Sequence, residues 1–97
     1  MENYEKEILK IDKEAVREIS FSKTDVLLDE DAKKLRNHDL HRAQILGNSS
    51  KSKVSITFEA ENKRAYQIET TIWCVGSQFI TLKGGVCIPI QSITKVD

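Results

Sequence analysis

The sequence predicts an α+β domain, helical in its first half and a β-meander in its second. Three observations predict it. Apolar residues recur at spacings of three and four up to about residue 46, they alternate strictly from residue 54 onward, and turn signals fall between the alternating runs at hairpin intervals. The chain has 97 residues, 39% hydrophobic and 31% charged, which suits one domain over 1–97 and is too apolar for disorder. The helical segment is expected over 1–48 and the meander over 52–97.

Tyr4, Ile8, Ile11 and Ala15 share one helical stripe, and Glu2, Glu5 and Glu7 crowd the end where the helix dipole favours acids, so a helix is expected over about 3–15. Ile19 and Phe21 alternate with serines, which reads as a short strand near 17–22. Asp29 then caps a second helix, with Glu30 and Asp31 in its first turn. Ala32, Leu35, Ala43 and Leu46 line its apolar face, with Leu40 at the margin. Gly47-Asn48 ends it, with Gly47 expected in the left-handed conformation. Asp39 interrupts the stripe. It marks either a break between two short helices or a buried carboxylate with backbone or cationic partners.

From residue 50 the chain is β. Val54, Ile56, Phe58 and Ala60 face one way. The next strand sets Tyr66, Ile68, Thr70, Ile72 and Cys74 on one face and Gln67, Glu69, Thr71, Trp73 and Val75 on the other. Glu61-Asn62-Lys63, Gly76-Ser77 and Gly84-Gly85 mark turns. Phe79-Ile80-Thr81-Leu82 and Val86, Ile88 and Ile90 supply further strands, and Ile93 and Val96 close the chain. Phe58, Ile68, Ile72, Ile88 and Ile90 form the expected core. Short strands at this spacing hide their edges by curling into a small barrel.

The run IETTIWCVGSQFITLKGGVCIPIQSITKV, preceded by LHRAQILGN, resembles a set of short uncharacterised bacterial proteins of Bacteroidetes type. These share ETTxWxV, LKGG, IPI and a helix ending in LGN, and the resemblance spans residues 35–96. It implies a defined architecture for Trp73, Gly84, Gly85 and Pro89, and no biochemical activity. The C-terminal half is also similar to SH3-like and Sm-like barrels, which end in a strand, one helical turn and a short closing strand. Here 86–90, 91–93 and 94–96 would fill those roles. The resemblance implies N-terminal helices packed on a four- to five-stranded antiparallel SH3-like barrel. Some Sm-like barrels bind RNA as rings, but Pro89 removes a backbone donor that ring assembly through its strand would use.

Charge is zero overall and unevenly placed. Residues 1–31 hold five Lys/Arg against ten Asp/Glu, and residues 32–53 hold Lys33, Lys34, Arg36, Arg42, Lys51 and Lys53 against Asp39 alone. The acidic arm and the basic segment either pair with each other or leave the basic face open to an anionic partner. Trp73 lies outside the expected core and is either a contact surface or the seat for a helix. Covering by Ile8, Ile11, Leu35 or Leu46 is the expectation, since both helices need a surface to cover.

No catalytic or metal-binding arrangement emerges. His38 and His41 lack a third ligand at a defined spacing and read as solvated. Cys74 and Cys87 read as small buried hydrophobes. Lys83-Gly84-Gly85 lacks the spacing of a phosphate loop and a following helix. No cofactor is implied. The charged N-terminus and the absence of a long apolar run point to a cytoplasmic protein with no membrane partner. The expected function is a non-catalytic binding or adaptor module, not an enzyme, with a protein partner favoured. Nucleic-acid binding through residues 33–53 is the alternative, weakened by a pI of 6.7 and six aromatics. The candidate binding residues are therefore Lys33, Lys34, Arg36, Arg42, Lys51, Lys53 and Trp73.

Overall fold

A computed structural model describes residues 7–97. Its centre is one long helix, α1 (Glu30–Ser50), laid against two small sheets. Asp29 caps α1 as its side chain accepts from the Ala32 N–H at 3.1 Å, and Glu30 and Asp31 occupy the first turn. The helix passes through Asp39 without a break, and that residue sits half-exposed on a flank. Neither expectation for Asp39 holds.

The inward face of α1 is Arg36, Leu40, Ala43 and Gly47, at spacings of four, three and four. It is rotated from the expected stripe, so Leu40 is fully buried while Leu35 and Leu46 are exposed. Two residues without large apolar side chains cause the rotation. Arg36 is drawn in by an ion pair. Gly47 can lie inward because it has no Cβ, where one would sit 2.6 Å from the Ile72 carbonyl oxygen. The glycine therefore permits close approach and does not end the helix. That role falls to Lys51, at φ 56°, whose N–H returns to the Gly47 carbonyl.

The N-terminal part departs most from expectation. Ile8–Lys10 is a strand, β1, and Lys13–Glu18 is a single 3-10 segment that buries Val16. The expected helix over 3–15 is thus replaced from Ile8 onward, and Tyr4 lies outside the described residues. An available sheet edge overrides the helical spacing: β1 pairs in parallel with β3 (Ala65–Thr70), and the Ile11 N–H continues the ladder to the Gln67 carbonyl at 3.0 Å. The strand expected near 17–22 shrinks to one bridge between Phe21 and Ala60. Phe21 still packs on the core, its ring tilted by 55° against that of Phe58 with the centroids 5.5 Å apart.

β2 (Val54–Glu59) and β3 form a hairpin around a turn in which Lys63 adopts φ 69°, and β7 (Ile93–Val96) flanks β2. The four-stranded sheet runs β1-β3-β2-β7. After Thr70 and Thr71 the chain enters a second sheet of β4 (Ile72–Val75), β5 (Phe79–Leu82) and β6 (Cys87–Pro89), in that order. One 3-10 turn, Ile90–Ser92, leads into β7.

The barrel expected from the meander does not close, because no ladder joins the two sheets. The free edge of β4 is met by a helix: the Val75 N–H donates to Gln44 Oε1 on α1. The architecture is therefore α+β, with one helix between the N-terminal strand and the meander in place of N-terminal helices on a barrel. Phe58, Ile68, Ile72 and Ile88 are buried as expected, whereas Ile90 is only partly so. Val16, Leu40, Ile56, Ile80, Leu82 and Ile93 are fully buried beside them, and Ala43, Val54 and Val86 fill in the same core.

Candidate binding surface

The second sheet has one face in the core and one in solvent. Ile72, Ile80, Leu82 and Ile88 point inward. On β4 the register shifts between Ile72 and Cys74, so that Trp73 and Cys74 together oppose Thr81. Such a bulge sets two successive side chains on one side of the sheet. It overturns the strand parity that put Cys74 beside Ile72. Thr81 is paired in turn with Cys87, and Phe79 with Pro89. The outward face therefore carries Trp73, Cys74, Phe79, Thr81, Cys87 and Pro89, with no charged residue among them. Trp73 and Phe79 are 49% and 51% exposed.

The expectation that α1 covers Trp73 fails for a geometric reason. The helix meets β4 at its edge, through Gly47 against Ile72 and Gln44 against Val75, and so stands beside the outward face. Both cysteines, expected to be buried, are exposed free thiols. They flank Thr81 on opposite sides, about 10 Å apart across two strand spacings, which is beyond the reach of a disulfide. Cys87 Sγ lies 3.7 Å from Thr81 Oγ1.

The outer edge of β6 offers little to an added strand. Val86 and Ile90 bond inward, to the Leu82 N–H at 2.8 Å and the Gln78 carbonyl at 2.9 Å. Cys87 thus turns its N–H and carbonyl outward, but Pro89 has no N–H and its carbonyl accepts from the Ser92 hydroxyl at 2.8 Å.

The basic residues singled out by sequence do not form one patch. Successive helical residues point 100° apart, so Lys33, Lys34 and Arg42 face three directions around α1. Lys33 pairs with Glu30 at 3.1 Å. Lys53 lines a shallow groove with Lys13 and Lys83, but Asp12, Glu14 and Glu69 line it too. Lys51 caps α1. His41 Nδ1 is 2.9 Å from the Asn37 carbonyl, and His38 Nδ1 is 3.8 Å from Asp39 Oδ1. No cluster of three or more potential metal ligands occurs among the described residues. No helix there is long and apolar enough to cross a membrane.

Arg36 is the exception among the basic residues, because it is buried, at 7% exposure. Its Nη1 and Nη2 donate to Asp25 Oδ1 and Oδ2 at 2.9 and 2.8 Å, and Nη1 also donates to the Ile93 carbonyl at 3.0 Å. Asp25 Oδ1 accepts from the Leu27 N–H as well, at 2.9 Å. The pair fastens the irregular segment before α1 to both helix and sheet. Hydrogen bonding from Arg36 holds the Asp25 carboxyl below its ordinary range, against the opposing pull of burial. Asp25 and Arg36 line a cleft of about 530 Å³, together with Ser77, Gln78, Phe79, Pro89, Ile90 and Gln91. Phe79 and Pro89 thus belong both to the cleft and to the uncharged face.

Sequence reasoning found Trp73 and missed Phe79, Cys74, Cys87 and Asp25. The alternation Phe79-Ile80-Thr81-Leu82 does carry the signal for Phe79, since an inward Ile80 and Leu82 force Phe79 out. No protein-family model, curated protein or solved structure matches this chain.

Proposed function

We propose that the protein is a non-catalytic binding module whose contact surface for a protein partner is the outward face of the three-stranded sheet. One observation carries the reading: two half-exposed aromatics share an uncharged face in a chain that is 31% charged. Interface cores are depleted of charge and enriched in aromatics, and tryptophan is prominent among residues that dominate binding energy. The blunted β6 edge favours docking on the face over addition of a strand. Nucleic-acid binding through residues 33–53 has less support, because Arg36 is neutralised inside the fold and the remaining cations are dispersed. No catalytic role is proposed. The test is affinity capture from native lysate with the wild-type chain and with a Trp73→Ser/Phe79→Ser double variant. A partner retained by the wild type and lost by a folded double variant supports the face. Equal retention by both proteins overturns it.

A further inference from the structure

The solvent side of α1 carries a second regular row. Leu35, Asp39, Arg42 and Leu46 follow at spacings of four, three and four and fall within an arc of about 60°. The row stands about 100° around the helix from the buried residues Arg36, Leu40, Ala43 and Gly47. Leu35 and Leu46 are 61% and 43% exposed. The two charges between them are unspent. Arg42 has no ion pair among the described residues, and Asp39 meets only the His38 ring, 3.8 Å away.

We propose that α1 pairs antiparallel with α1 of a second copy of this chain along this row. The row is a palindrome in register. The midpoint between Leu35 and Leu46 is also the midpoint between Asp39 and Arg42, and it falls between Leu40 and His41. A two-fold axis at that point sets Leu35 against the second copy's Leu46, and Asp39 against the second copy's Arg42, twice over. Charge complementarity therefore selects the occupant and its direction. Parallel pairing would put Asp39 on Asp39 and Arg42 on Arg42, like charge on like at short range. Leu46 also lines a groove of about 400 Å³ with Ala43, Val54 and Val96, which seats the second copy's Leu35. From Leu35 to Leu46 the contact is only about 16 Å long, so the pair is weak and forms at high concentration. The row shares no residue with the outward sheet face, so this pairing goes beyond the proposed contact surface and does not draw on Trp73 or Phe79.

Sedimentation equilibrium of the intact protein, over a concentration series reaching the millimolar range, reads the association. The wild type is expected to dimerise. Asp39→Arg and Arg42→Asp should each weaken dimerisation about tenfold or more, because each then faces like charges, while far-UV circular dichroism stays unchanged. Mixing the two variants should restore the dimer, since one now carries only cations in the row and the other only acids. A wild type that stays monomeric throughout the series would overturn the proposal. Dimerisation that survives both reversals would overturn it too, and its loss on Trp73→Ser would assign the contact to the sheet face. Variants that are monomeric apart and remain so when mixed would contradict the antiparallel register.

Discussion

Replacing Gly47 by alanine sets two effects of opposite sign against each other. In an exposed helix interior the change would stabilise the protein by about 1 kcal/mol, from backbone entropy alone. At Gly47 the new Cβ would lie 2.6 Å from the Ile72 carbonyl oxygen and 3.0 Å from Thr71 Cγ2. Real Cβ atoms hardly ever come that close, and the nearer neighbour is backbone, which cannot rotate away. The helix must back off from β4, straining the Gln44 bond to Val75 and loosening Leu40 and Ala43. Overpacking of this kind costs up to about 3 kcal/mol, so a net loss of about 2 kcal/mol is expected. For a domain this small that lowers Tm by roughly 8–16 °C. Urea unfolding followed by far-UV circular dichroism reads it, with exposed Asn48→Ala as the control that should lose nothing. A Gly47→Ala protein as stable as wild type, or more so, would refute the close approach of α1 to β4.

Ile72→Ala should cost about 2–5 kcal/mol in the same assay, because the side chain is fully buried. A loss below about 0.5 kcal/mol would mean that β4 is turned over. Asp29→Ala should cost about 1 kcal/mol by removing the bond to the Ala32 N–H, and an unchanged midpoint would mean the cap is idle. Asp25 titrates low in the fold, so its contribution to stability is complete above the unfolded value of about 3.9 and is lost as pH falls through the folded value. Asp25→Asn should therefore flatten the stability curve below about pH 4, and an equally steep acid limb in the variant would show that other carboxyls set it. Cys74 and Cys87 should both react quickly with a thiol reagent in the native protein; protection of either would contradict the outward face.

The β half was legible because alternation fixes which face of a strand is apolar, and Phe58, Ile68, Ile72 and Ile88 all landed inside. Turns and the N-cap at Asp29 were legible because they are local chemistry. What resisted reading depended on partners distant in sequence. The spacing of Ile8 and Ile11 suits a helix, but the open edge of β3, more than fifty residues away, takes them as a strand. Gly47 reads as a helix end until Ile72 is seen against it. Arg36 reads as a surface cation until Asp25 and the Ile93 carbonyl are placed beside it. The bulge at Trp73 and Cys74 has no marker such as glycine, so parity carried straight through it to the wrong face for Cys74. That slip hid Cys74 alone, since Phe79 and Cys87 lie outward by the regular alternation of their own strands.

Acrylamide quenching of the intact protein tests the contact face most directly, because Trp73 is its sole tryptophan. The indole should be quenched readily and emit to the red, as its 49% exposure requires, and a bound partner should shift the emission to the blue and shield it. A blue, poorly quenched emission from the free protein would contradict the face, since an indole already covered has no surface left to offer a partner.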